Sequence, residues 1–220
     1  MNGYDKSMTT HIIHALYRVI DLPNFNKDCI SPGQLASKEW MITALEDIDL
    51  DLGIVFLCAG WYATLATMLL ESKIKIKKIR SFDIDPTCQT IADTFNRPWL
   101  IDSWKFKAIT EDIFNINYEG HGWRGWNNLE LRQSKVIVDT PNTVINSSCE
   151  HITNFNQWYT KIPDGTLVIL QSNNYTELQV HTNCVNSADE LSLVSPMQQT
   201  LYLGELPLAK YTRYMKIGIK

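Results

Sequence analysis

Hydrophobic positions along the chain follow two rhythms. Over residues 8–20, Ile12, Ile13, Leu16, Tyr17 and Ile20 recur at helical spacing. Residues 31–47 repeat it with Leu35, Trp40, Ile42, Ala44 and Leu45, opened by Ser31 as a cap and Pro32 in the first turn. From residue 53 the rhythm changes. Residues 53–60 form a continuous apolar run ended by Gly60, the pattern of a strand covered on both faces. A helix over 61–71 follows, then a strand over 78–85 that ends in carboxylates, a helix over 87–95, and a strand over 104–110 followed by Glu111 and Asp112. Residues 115–134, rich in Asn, Gly and Trp, read as an irregular excursion. Residues 143–147 fit best as the fourth strand, because Cys149-Glu150-His151 and a helix-like stretch come next; residues 136–138 read as an added edge strand or as the fourth strand itself. Residues 165–171 are the fifth strand, and 199–206 and 211–219 form a closing hairpin. This alternation predicts a three-layer α/β sandwich around a mostly parallel, seven-stranded sheet with an antiparallel C-terminal hairpin. Residues 1–49 are an N-terminal helical cap and 50–220 one compact unit.

Composition adds exclusions. With 220 residues, 45% of them apolar, the chain can bury a continuous core without disulfides or a structural metal. The longest apolar stretch, 54–70, is too short and too mixed to span a membrane. A net charge of −4 argues against an extended nucleic-acid surface. The short basic run of Lys73, Lys75, Lys77, Lys78 and Arg80 reads as a solvated helix end and loop. Five cysteines at irregular spacing, with no CxxC, are neither a disulfide framework nor a zinc pattern; they read as reduced thiols of a cytoplasmic protein. The first ten residues lack the apolar region of a secretory signal.

In a sheet of this kind ligands bind outside the carboxyl ends of the strands. The groups collected there are Cys58, Ala59, Gly60 and Trp61, then Asp83, Ile84 and Asp85, then Glu111 and Asp112, then Asn146 to His151, and finally Gln171 to Asn174. This order resembles the class I S-adenosylmethionine-dependent methyltransferase family over roughly residues 50–220. The resemblance implies a Rossmann-like fold and S-adenosyl-L-methionine as cofactor. It places Phe56-Leu-Cys-Ala-Gly-Trp-Tyr-Ala-Thr64 at the family's glycine-rich turn, Asp83 on the ribose hydroxyls, Asp112 on the adenine amino group and Glu150-His151 at the pair that follows strand four. Cofactor contacts are thus implied at Cys58, Ala59, Gly60, Trp61, Asp83, Ile84, Asp85, Asp112 and Asn146. The family's turn normally holds two or three glycines and a preceding acid, and this one keeps only Gly60. Trp61 and Tyr62 would crowd the cofactor's amino-acid tail unless they point away, in which case Gln34, Ser37 or Lys38 of the cap would grip it.

Each role has a plainer alternative. A carboxylate accepts two charge-assisted hydrogen bonds from a cis-diol, which suits Asp83, yet Asp83 or Asp85 could instead cap the next helix, where Asp85-Pro86 is a start signal. Asp112 is an adenine contact, another helix cap or a turn residue. Methyl transfer needs in-line positioning, and a base only where the acceptor carries a proton. His151 is the first candidate for that base and Glu150 the second; the alternative is structural packing at a helix start. Cys149 reads as a buried, inert thiol. His11 and His14 share a helix face without a third ligand, so no metal is expected. Trp123 and Trp126 stack on a planar substrate or anchor their loop. The leading function is a methyltransferase with a small-molecule or nucleoside-like acceptor. Its rivals are aminocarboxypropyl transfer from the same cofactor, motivated by the unusual first turn; a nucleic-acid methyltransferase, for which Asp139-Thr-Pro-Asn142 is a faint match to Asp-Pro-Pro-aromatic; and a non-catalytic binding protein on the same fold. The oligomeric state stays open.

Overall fold

A computed structural model describes residues 6–126 and 134–220. The N-terminal segment expected to form a cap contains α1 (Lys6–Val19), a 3-10 turn (Lys27–Ile30) and α2 (Pro32–Ile48). Then come β1 (Asp51–Cys58), α3 (Thr64–Glu71), β2 (Lys75–Asp83), α4 (Pro86–Phe95), α5 (Arg97–Ile101) and β3 (Phe106–Thr110). β4 (His121–Trp126) and β5 (Ser134–Asp139) precede β6 (Thr143–Asn146), a 3-10 turn (Cys149–His151) and α6 (Phe155–Tyr159). The chain closes with β7 (Leu167–Asn173), α7 (Ala188–Val194), β8 (Gln199–Pro207) and β9 (Thr212–Ile219). The main sheet has seven strands in the order β3-β2-β1-β6-β7-β9-β8. Its first five are parallel, β9 runs antiparallel to β7, and β8 antiparallel to β9. The strand order therefore reverses between β1 and β6, which makes that junction the switch point. Among the described residues no helix is long and apolar enough to cross a membrane.

The consecutive apolar residues of β1 are explained by burial on both sides. Val55 and Leu57 pack with Ile79, Ile145 and Ile169 beneath α2 and α3. Phe56 and Cys58 face the opposite layer, with Phe82, Val144, Val168, residues 113–118 and the aromatic side chains of α6.

Three expectations change. In α1 the buried stripe is Ile12, Ala15, Leu16 and Val19 rather than the larger apolar set, and Tyr17 is 78% exposed. The helix is rotated by its seating on α4, where Arg18 donates to the carbonyls of Thr94 and Phe95 at 3.1 and 2.7 Å. The basic run is not a solvated helix end: residues 75–83 are a strand, and Arg80 has no exposure. Its Nε donates to Asp139 Oδ2 at 2.6 Å and Nη1 to the carbonyls of Ile79 and Trp104. Residues 115–134 are not wholly irregular either. β4 pairs antiparallel with β5 in a separate two-stranded ribbon, so residues 136–138 are neither the fourth strand nor an edge of the main sheet. The ribbon is fastened by Trp123, whose Nε1 donates to Asp139 at 2.9 Å and whose ring lies 4.8 Å from the Arg80 guanidinium carbon. Trp123 is thus a buried anchor, and the side chain of Trp126 lies outside the described residues.

Candidate active site

The β1–α3 turn shapes the first wall. Ala59, Trp61 and Ala63 lie in the left-handed region, with φ of 51, 50 and 52°. Side chains other than glycine reach this region at a cost of about 1–2 kcal/mol each. The alternating left-handed residues delay the helix, which starts at Thr64 rather than at residue 61. Gly60 is needed for a different reason: a Cβ there would stand 2.1 Å from Ser81 Oγ, because the Gly60 amide approaches β2 to donate to Phe82 O at 2.9 Å. Trp61 and Tyr62 stack on each other at 4.8 Å. Tyr62 is buried among Ala15, Val19, Ile91 and Phe95, and its hydroxyl donates to Asn24 O at 2.6 Å, so both rings turn toward the cap.

Asp83 closes the end of β2. Its two oxygens accept the amides of Trp61 and Asp85 at 2.8 and 3.0 Å, and each keeps a further lone pair. Burial pushes its carboxyl upward in pKa against those two amides. Asp85 takes the capping role, accepting from Thr87 N at 2.8 Å. Asp112 makes a turn, accepting from Phe114 N at 2.9 Å.

These groups border a cleft of about 230 Å³ lined by Ala59, Asp83, Ile84, Asp112, Phe114 and His151, with Ile113, Ile152, Thr153 and Asn154 completing it. Ile84 stands 70% exposed on its wall. Cys58 lies outside that lining, fully buried, 3.4 Å from the Tyr118 hydroxyl; burial pushes its thiol up to about 12. Gly60, Trp61, Asp85, Asn146 and Glu150 do not line it either.

The other half of the site lies at the ends of β6, β7 and β9. Glu150 is 2% exposed; its Oε1 accepts from Asn173 Nδ2 at 2.7 Å and from Arg213 Nη2 at 3.3 Å. Asn146 Nδ2, Glu150 Oε2 and Arg213 Nε are buried without a hydrogen-bond partner. Such atoms are rare in folded proteins and call for a water, an ion or a ligand. Cys149 is fully buried, and its thiol is pushed well above its usual pKa, chiefly by burial. His151 sits in a 3-10 turn at the cleft edge with Nδ1 3.3 Å from Val180 O; partial burial, aided by His181, lowers its pKa against the pull of Glu150. The cap meets this end of the sheet. Ser37 Oγ donates to Gln171 Oε1 at 2.9 Å, and Lys38 Nζ to Gln34 Oε1 at 2.6 Å. His11 is held by Glu71 and takes no part in the site.

No family model matches the sequence, and no curated protein does. The fold has clear counterparts among solved structures. The N-methyltransferase NodS from Bradyrhizobium japonicum WM9, in complex with S-adenosyl-L-homocysteine, superposes with a TM-score of 0.62 at 6% identity, over 96% of this chain and 98% of that one. Magnesium protoporphyrin IX methyltransferase ChlM from Synechocystis PCC 6803, with bound S-adenosylmethionine, does so with a TM-score of 0.58 at 11% identity, over the whole of both chains. The chain has the fold of these methyltransferases. At such identities the fold is what is shared, and the residues must be argued from their own geometry.

Of the residues expected from sequence, Ala59, Asp83, Ile84, Asp112 and His151 come together on one cleft. Asp139-Thr-Pro-Asn142 does not: it precedes β6, at the end of the sheet away from the cleft, and Asp139 is spent on Arg80. Sequence reasoning missed Phe114, Arg213 and His181. Phe114 follows a turn where a helix start was one alternative, Arg213 looks like any alternating strand residue, and His181 lies in a loop without periodicity.

Proposed function

We propose that this protein is an S-adenosylmethionine-dependent methyltransferase acting on a small-molecule or nucleoside-like acceptor. The observation that carries the reading is the cleft at the switch point, where a half-buried carboxylate (Asp83), an exposed apolar side chain (Ile84) and a second carboxylate (Asp112) line one wall and His151 the other. Asp83 retains lone pairs for a ribose diol, Ile84 and Phe114 offer apolar surface to an adenine ring, and Asp112 accepts from its amino group. Although the first turn keeps only Gly60, the left-handed backbone that further glycines would permit is present at residues 59, 61 and 63. That favours a working turn over a decayed binding protein. Lys38 and Arg213, on opposite sides of the cap junction, suit a carboxylate such as that of the cofactor's amino-acid tail. The cofactor supplies an electrophilic sulfonium methyl. The chain's own part is to hold it in line, to exclude water beneath the cap and to receive the acceptor at the His151 side.

Calorimetric titration tests this. Micromolar binding of S-adenosylmethionine and S-adenosylhomocysteine is expected, and no binding of either overturns the reading. Release of S-adenosylhomocysteine with an acceptor identifies methyl transfer, whereas methylthioadenosine identifies aminocarboxypropyl transfer. Asp83→Asn should weaken cofactor binding by about 1.5–3 kcal/mol, the scale of hydrogen bonds to a charged group. Unchanged affinity in a folded variant removes Asp83 from the site.

A further inference from the structure

Glu150, His151 and His181 each bring one ligand atom within 4.8 Å of the others. They come from separate places, the turn after β6 and the loop after β7, and the parallel pairing of those strands brings them together. The two imidazoles meet edge to face, with centroids 4.6 Å apart. One atom of each group is already held. His151 Nδ1 lies 3.3 Å from Val180 O and His181 Nδ1 2.5 Å from Tyr175 O. A carbonyl only accepts, so both Nδ1 atoms carry the proton and both Nε2 atoms present a lone pair. Glu150 Oε1 is held by Asn173 and Arg213, and Oε2 is left buried and unpartnered. Two imidazoles with a lone-pair nitrogen and a carboxylate with an orphaned oxygen, each group fixed through its other atom by a hydrogen bond, are how protein ligands are presented to a metal ion.

We infer that Glu150, His151 and His181 bind one divalent first-row transition-metal ion at the edge of the cleft. Two imidazoles with one carboxylate suit Mn, Fe, Co, Ni or Zn better than Ca or Mg, which favour all-oxygen sites. Three protein ligands leave positions open. His151 also lines the cleft, so those positions serve an acceptor with an oxygen donor. This last step rests on the methyltransferase reading; the binding of the ion does not. A coordinated hydroxyl loses its proton to water more readily. Its oxygen then forms a bond to the methyl carbon as the carbon–sulfur bond breaks, and the electron pair stays on sulfur in S-adenosylhomocysteine.

The test uses the full chain, stripped of metal by a chelator and dialysed, and titrated calorimetrically with Co²⁺ and Zn²⁺. One ion per chain at micromolar Kd or tighter is expected. Loss of an outer-shell partner alone costs about 10–100-fold in affinity, so His181→Ala and His151→Ala should each lose at least about 100-fold. His11→Ala should lose nothing. No binding to the parent, or undiminished binding in both folded His variants, overturns the site. Titrating the same metal-free protein with S-adenosylmethionine separates the two proposals: cofactor binding without metal binding defeats only this inference, and the converse defeats only the methyltransferase reading.

Discussion

Asp139→Ala lowers the stability of the protein by about 3–5 kcal/mol, the expected loss when one partner of a buried ion pair is removed. Arg80 has no exposure and Asp139 is 2% exposed, so the abandoned guanidinium would have neither water nor a counter-charge. One of its nitrogens, Nη2, already lacks a partner. Asp139 also receives the Trp123 indole and, at 3.4 Å, Lys78, so the same substitution unfastens the β4–β5 ribbon. Burial raises the Asp139 carboxyl, but Trp123, Arg80 and Lys78 outweigh it and hold its pKa below the ordinary value. A depressed carboxyl stabilises the fold above its unfolded pKa and loses that contribution as pH falls through the folded one. Chemical denaturation at neutral pH measures the loss. The double variant Arg80→Met/Asp139→Leu should recover much of it, because an apolar pair leaves no buried charge. A single variant within about 1 kcal/mol of the parent would show that the pair is not a structural clasp.

Lys38→Met should raise stability at pH 7 by several kcal/mol, on the order of 3, and flatten the pH profile above it. Lys38 is 7% exposed, and its ammonium is lowered to about 7, first by burial and then by Arg213 across the cap junction, with Cys29 and Asp28 opposing. The folded state therefore holds fewer protons than the unfolded chain between about pH 7 and the ordinary lysine value. Stability rises with pH across that window, and the penalty is fully present below it. Unfolding free energies of parent and variant should converge as pH rises toward 10. Parallel profiles would mean that Lys38 reaches water. A protein that keeps such a group at a junction sacrifices stability for something else, and an anion seated against Lys38 and Arg213 is the reading that the cap position supports.

The parallel strands were legible because burial on both faces leaves an unmistakable apolar run, and the hairpin because its turn lies between alternating segments. Asp83 and Asp112 were legible because a carboxylate at a strand's end needs a reason. Other features depend on tertiary partners. β4 reads His-Gly-Trp-Arg-Gly-Trp, too rich in glycine for a strand by propensity, and is set by pairing with β5 and by Trp123 on Arg80. The stripe on α1 follows from where Arg18 docks, which periodicity does not encode. The β1–α3 turn looked degraded because its glycines were sought by type, whereas left-handed backbone survives there with Ala and Trp. His181 joins Glu150 and His151 across 30 residues of chain, a neighbour relation created only by the pairing of β6 with β7.

The junction between β1 and β6 divides labour along the chain as well as across the sheet. Everything proposed to face a nucleoside lies between residues 59 and 114, while the proposed metal ligands lie between 150 and 181. The two sets meet at the cleft through His151 yet belong to separate stretches of sequence. On the proposed function, changes in the second stretch retune the acceptor while the nucleoside grip in the first stays intact. A lineage carrying this fold could therefore change its chemistry's target by drift in one half, with the other acting as an inherited handle.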